Sequence, residues 1–265
     1  EIPKRDWSSD VCSSDLVGHA VRVTLAAGGG KAAELDGVRL ASADRLRREL
    51  PALVFTPDRL AVVKAGPAAR RAYFDRSLAR LLPARAGLPQ DYAALLAQRN
   101  AALRRVQLGL SDRAALEPWT ERLALAGAQL VDARTALLAR LNPLFAERAG
   151  EFGLDAARLS YDGDPPTADA LVARLQGDLA RGTTGIGPHL HDVRIASGDR
   201  DLRAFGSQGE QRSALLGLLL AEAELMPSRP LLLLDDVLSE LDTGRRRVLA
   251  QRVARLEQDR KSTRL

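Results

Sequence analysis

Three short strings near the end of the chain carry residue types and spacings suited to phosphate chemistry: SQGEQR at 207–212, LLLLDDV at 231–237 and SELD at 239–242. Asp235 ends four leucines that follow Pro230, an unalternated apolar run expected of a strand buried on both faces of a parallel sheet. Ligands of open α/β sheets bind at the carboxyl ends of strands, and a carboxylate there offers the hard oxygen that Mg²⁺ takes. Asp236, one residue on, is placed to orient or deprotonate an attacking water. The plainer alternative is that both aspartates cap the next helix.

Ser207 and Glu210 fit the S-x-x-E capping box and open a helix through LLGLLLAEAEL. A helix start presents unpaired N–H groups and the positive end of the dipole, and Gly209 lets a ligand approach the backbone. An ordinary capped helix explains the same spacing. Ser239 and Asp242 precede the basic helix GRRRVLAQRVARL. There Asp242 reads either as an N-cap or as part of a loop meeting a second subunit. A metal-dependent phosphoesterase would need Asp235, Asp236, Glu240 and Asp242 to converge, and a strand-to-helix layout turns Glu240 away. His189-x-His191-Asp192 offers a weak chelation pattern, since His189 and His191 share a face if they lie on a strand.

No G-x-x-x-x-G-K-[ST] phosphate loop occurs anywhere in the chain. Gly28-Gly29-Gly30-Lys31 comes nearest, but Ala32 follows the lysine and Leu25 stands where the first glycine is needed. The next segment, ELDGVRL, reads as a turn between strands.

The elements that must position these residues follow from periodicity. Alternation from Val17 to Leu40 predicts a small antiparallel sheet, ADRLRREL a short helix, and ALVF a strand. Helices are expected over RRAYFDRSLARLL and DYAALLAQRNAALRRVQ, with Pro83 and Gly87-Leu88-Pro89 between them. Pro118 suits the first turn of a third helix, whose Trp119, Leu123, Ala126, Leu130, Leu137 and Leu141 recur at helical spacing as a packing stripe. Asn142-Pro143 predicts a kink or an end. RLSYDG is a strand within a loop, and ADALVARLQGDLARG a last helix.

Taken together these motifs resemble the RecF family of DNA-repair ATPases, related to SMC-type and ABC-type heads. The likeness runs from about residue 18 to residue 258 and includes LVFTPDRLAVVKAGPAARRAYFDR (53–76), QRNAALRR (98–105), PWTERLALAGAQLVDARTALLARLNPLF (118–145) and RGTTGIGPHLHDVRI (181–195). It implies an incomplete α/β ABC/SMC-type ATPase head with an inserted helical arm. The expected domains are residues 17–74 for the first part of the head, 75–182 for the arm and 183–259 for the rest of the head.

The resemblance also implies roles. Ser207, Gln208, Gly209 and Gln211 match the signature that touches the γ-phosphate held by the other protomer. Asp235 matches the magnesium residue, Asp236 the catalytic position, and Ser239 and Asp242 the dimer-crossing loop. ATP and Mg²⁺ are the implied cofactors. The implied partners are double-stranded and junction DNA, RecO, RecR and a second copy, and the implied work is recombinase loading at gaps within the SOS response. The chain departs from the pattern at Leu190 and His191, where the family reads GPHRDD. It departs again in LGLLLAE, where the family carries a lysine.

The family's phosphate loop is expected upstream of residue 18. EIPKRDWSSDVCSSDL (1–16) and RKSTRL (260–265) read as translated adapter, which would remove Trp7 and Cys12 from the natural protein. The family is a slow ATPase, and the chain as it stands is expected to bind ATP poorly and not to turn it over. The alternative function is a nucleotide-independent DNA-binding or scaffolding module.

With 265 residues, 46% of them hydrophobic, the chain can bury a sizeable core and divide into domains. Its formal net charge of +5 suits nucleic acid, although most arginines read as solvated helix faces. One cysteine excludes a disulfide framework. The sequence shows no membrane-length apolar run and no signal peptide, which suits the bacterial cytoplasm.

Overall fold

The computed structural model describes residues 20–25, 31–41, 45, 51–228, 230–235, 237 and 241–255. The adapter-like ends, most of the helix expected at 43–50, Gly28–Gly30, Asp236, Ser239 and Glu240 lie outside the described residues. In chain order the strands are β1 (Val21–Leu25), β2 (Lys31–Leu35), β3 (Val38–Arg39), β4 (Ala52–Phe55), β5 (Ala157–Asp162), β6 (Asp192–Ser197), β7 (Arg200–Asp201) and β8 (Leu231–Leu234). The helices are α1 (Ala61–Lys64), α2 (Pro67–Leu81), α3 (Leu88–Gln107), α4 (Glu117–Glu151), α5 (Ala168–Ala173), α6 (Leu175–Arg181), α7 (Leu202–Phe205), α8 (Gln208–Leu225) and α9 (Thr243–Arg255).

The described residues up to Phe55, with those from Ser228 onward, make one compact unit. In it β1, β2 and β3 form the expected antiparallel sheet, with Val21 opposite Leu35 and Leu25 opposite Lys31. Asp36 (φ 52°) and Gly37 (φ 78°) make the two-residue turn, because a right-twisted hairpin favours positive φ at both central positions. β4 and β8 pair in parallel, Ala52 opposite Leu231 and Phe55 opposite Leu234. The leucine run is therefore a parallel strand. It is not buried on both faces, however: Leu233 is 45% exposed, and among the described residues β8 pairs with β4 alone.

Thr56–Pro227 make the other unit. Its spine is α4, 35 residues and so roughly 52 Å long at 1.5 Å per residue. Leu123, Leu130, Leu137, Leu141 and Phe145 are at most 1% exposed along one stripe. Pro118 lies in its first turn, as expected, but Pro143 does not end it. The buried Phe145 and Ala149 carry the helix on, while the Asn142 side chain accepts the Leu159 amide of β5 at 2.8 Å. The single helix expected at 168–182 is two, α5 and α6, meeting at Arg174. The break lets α5 bury Leu171 and α6 bury Asp178. β5, β6 and β7 form an antiparallel sheet, β5 against α4 and β6 against α2.

Among the described residues most arginines are surface groups, but four are core residues. Arg70, Arg99, Arg134 and Arg148 are 0–5% exposed. Arg70 grips Asp192 with two bonds of 2.7 and 2.6 Å. Arg134 holds Asp75 with two bonds of 2.9 Å and the Pro188 carbonyl at 2.8 Å. Arg148 reaches Glu224 at 2.7 Å. Arg99 meets Asp178 at 2.9 Å where both are fully buried.

Candidate functional site

The signature segment sits on a braced turn. Asp201 accepts the Arg203 amide at 2.8 Å and so starts the single-turn helix α7. Gly206 then reverses the chain so tightly that a side-chain carbon there would lie 2.5 Å from the Leu202 carbonyl oxygen. Ser207 caps α8. Its hydroxyl accepts the Glu210 amide at 3.2 Å, and the Glu210 carboxylate accepts the Ser207 amide at 2.7 Å, completing the expected capping box. The other Glu210 oxygen takes Arg200 at 2.7 Å. The Ser207 amide first, then Arg200, hold the Glu210 carboxyl down at about 2.

The four signature residues divide by exposure. Ser207 and Gln208 face solvent and Gly209 is half-buried. Gln211 is 5% exposed and donates to the Leu202 carbonyl at 2.8 Å, so it braces the turn from inside. The Gln208 and Gly209 amides and the Ser207 hydroxyl proton have no partner among the described residues. Those are the groups this end can offer an anion.

Farther along, α8 is fixed in place. Gly217 packs so closely on α4 that a side-chain carbon would sit 2.7 Å from the Ala149 nitrogen. Glu222, fully buried, accepts the Tyr73 hydroxyl at 2.8 Å, the Ser77 hydroxyl at 3.1 Å and Arg80 Nε at 2.5 Å. Burial, and then the Glu222 charge, drive the Tyr73 phenol well above its ordinary value.

In the other unit, Asp235 stands exposed at the carboxyl end of β8. Its amide donates to the Phe55 carbonyl at 2.9 Å, extending the parallel ladder by one bond. Among the described residues no three His, Cys, Asp or Glu side chains converge. One carboxylate with waters and phosphate oxygens is a usual Mg²⁺ arrangement, so this strand end fits the ion. Asp242 accepts the Arg245 amide at 2.9 Å and so caps α9. That amide holds its carboxyl below the usual range. Lys31 lies within the antiparallel β1–β2 pairing, which is no place for a phosphate-loop lysine.

His189 and His191 do not form a metal pair. His189 Nε2 lies 3.1 Å from the Thr184 carbonyl, which can only accept, so Nδ1 accepts the Tyr92 hydroxyl at 2.7 Å. His191 Nδ1 bonds Tyr161 at 3.0 Å. Sequence reasoning missed Gln211 as a brace, Glu222 as an anchor and Arg70 as the partner of Asp192.

No protein-family model matches the chain. Curated relatives do. It is 38% identical to the DNA replication and repair protein RecF of Myxococcus xanthus (strain DK1622), over 87% of this chain and 66% of that protein. It is 39% identical to the RecF of Anaeromyxobacter sp. (strain K), over 89% and 68%. The chain thus spans about two thirds of the length of these relatives. A solved structure of the recombination mediator protein RecF with ATP, in the RecFOR pathway, superimposes with a TM-score of 0.77 at 26% identity. It covers 90% of this chain and 69% of that one. The α/β head with a helical arm anticipated from the motifs is therefore the fold observed. On these similarities, the chain belongs to the RecF family.

Proposed function

We propose that the chain works as the signature-bearing portion of a RecF-type DNA-repair ATPase. The turn at 206–211 of one copy closes over ATP held by another, and the closed dimer clamps DNA. In this reading the Ser207 hydroxyl and the Gln208 and Gly209 amides meet the γ-phosphate, while Gln211 positions them. Asp235 would hold Mg²⁺, whose chemistry is to neutralise phosphate charge. Asp236 would orient water, and Ser239 and Asp242 would line the crossing between copies. The site of action is duplex and gapped or junction DNA in the bacterial cytoplasm, together with RecO and RecR, in loading recombinase.

The observation that carries this reading is the capped, internally braced turn with Ser207 and Gln208 left facing solvent. Association of the chain with the full-length Anaeromyxobacter relative, followed by sedimentation, tests it. We expect association with ATP and none without it, with loss in Ser207→Arg. Equal association in both conditions would instead favour a nucleotide-independent scaffold. Alone, the chain should turn over no ATP, since its sequence holds no phosphate loop. Turnover abolished by Asp235→Asn would overturn that expectation.

A further inference from the structure

We propose that the end of the helical arm carries a second anion site, made by Arg174 and Arg181 across the Gly182–Gly185 turn, that grips the phosphodiester backbone of nucleic acid. It rests on the reading that this chain meets DNA, and it assigns that contact to residues outside the nucleotide motifs.

The geometry is specific. A side-chain carbon at Gly185 would lie 2.6 Å from Arg181 Nη2 and 3.4 Å from Arg174 Nη2, so the two guanidinium groups flank one point over bare backbone. The acid nearest that point is Asp178, whose Oδ1 would be 3.1 Å away. Asp178 is already committed: to buried Arg99 at 2.9 Å, to Arg181 at 3.2 Å and to the Gly185 amide at 3.0 Å. Two guanidinium groups, those of Arg99 and Arg181, thus already share this single carboxylate.

More cations stand alongside. A side-chain carbon at Gly182 would touch the Arg104 stem at 3.2 Å, and Arg105 follows in the same last turn of α3. Arg104, Arg105, Arg174 and Arg181 are all exposed, as is Thr183 in the turn. Among the described residues no carboxylate pairs with Arg104, Arg105 or Arg174. Like charges held this close repel one another, and a phosphate between them would convert that repulsion into paired hydrogen bonds, which guanidinium geometry matches well. At Gly182 and Gly185 the arginine side chains themselves lie against the bare backbone, and their exposed faces are what a phosphate would meet.

The test is fluorescence anisotropy of a labelled duplex with the chain itself, across a salt series and without nucleotide. The Arg174→Ala/Arg181→Ala variant removes two contacts. It should bind more weakly and show a log K against log salt slope shallower by roughly 1.8. From about 50 mM to about 200 mM salt the unaltered chain then loses about twelve-fold more affinity than the variant does. The control is Arg158→Ala/Arg194→Ala, which removes the same charge from β5 and β6. Those side chains are 53% and 58% exposed, and each is paired with an aspartate. This control should leave the slope unchanged.

Equal slopes for the arm variant and the unaltered chain would overturn the proposal. So would equal loss in the two double variants, or no DNA binding at all. Displacement of the duplex by inorganic phosphate or ATP would also overturn it, as the mark of a site for a free anion. Thermal melts check that both variants fold. Failure of ATP-dependent association would leave this result untouched, and the reverse holds too.

Discussion

The buried Arg99–Asp178 pair gives the sharpest stability prediction, because its two halves are not equivalent. Removing one partner of a buried ion pair typically costs about 3–5 kcal/mol. In Arg99→Met the remaining Asp178 keeps Arg181 at 3.2 Å and the Gly185 amide at 3.0 Å. That cost should fall near the lower end, about 3 kcal/mol. In Asp178→Asn the amide has no good orientation, since its NH₂ must face Arg99 on one side or Arg181 and the Gly185 amide on the other. Arg99 is then left with the Thr184 hydroxyl at 2.7 Å, the Thr120 hydroxyl at 3.3 Å and the Leu171 carbonyl at 3.5 Å, and with no anion. This change should cost about 5 kcal/mol. The apolar double variant Arg99→Met/Asp178→Leu should recover most of the loss, since a buried pair replaced whole is often close to neutral. Urea unfolding followed by helical circular dichroism reads all three, with an unchanged m-value as the check on a common denatured state. Losses below about 1 kcal/mol, the reverse order of the two single variants, or a double variant equal to their sum would refute the reasoning.

Other outcomes follow from single contacts. Ser207→Ala should cost about 1 kcal/mol by removing the cap of α8, measured as a shift in the urea midpoint. Glu210 titrates at about 2 in the fold against an ordinary 4.5. Its contribution is therefore complete above pH 4.5 and is lost as pH falls through about 2; Glu210→Gln should flatten stability across that window. Gly217→Ala should destabilise by roughly 1–3 kcal/mol despite the better helix propensity of alanine, and a raised melting temperature would contradict the 2.7 Å contact with Ala149. Burial, above all else, lowers the His189 and His191 values beneath 6.5. The stability linked to neutral imidazole is thus complete above pH 6.5 and declines below it, and an NMR titration placing either ring above 6.5 would contradict this.

Local signals carried well into the structure. The S-x-x-E spacing gave the capping box at Ser207 and Glu210 because both partners lie within one helical turn. The leucine run gave β8, and the turn within ELDGVRL gave the β2–β3 hairpin. Prolines were read less well. Pro143 lies within α4, where burial of the residues after it outweighs one missing amide bond. The burial of β8 was overstated, since an apolar run does not reveal how many neighbours cover it.

The buried arginines had a signal that charge alone concealed. Arg134 lies four residues after Leu130 and three before Leu137, on the stripe that buries both. Arg99 stands between Tyr92 and Leu103, at seven and four residues, on the buried face of α3. An arginine at helical spacing within an apolar stripe is a core position. What could not be read is the partner. Asp178 and Asp75 are 79 and 59 residues away from Arg99 and Arg134, and long-range pairings have no local trace.

This reliance on buried charge follows from composition. Aromatic residues are 4% of the chain, so leucine and alanine fill most of the helical interior, and such cores accept alternative packings at small cost. Two leucine-rich helices slid by one turn would bury nearly the same apolar area. A two-bond Arg–carboxylate contact does not survive such a shift, because losing it strands a desolvated charge. Arg134 on Asp75, Arg70 on Asp192 and Glu222 under Tyr73 and Arg80 each tie α2 to a different element. Glu222 makes that tie on α8, the helix whose first turn presents Ser207 and Gln208. The orientation of the signature turn is thus set from its buried far end as well as from its cap, so a change at Glu222 should misplace Ser207 without touching it.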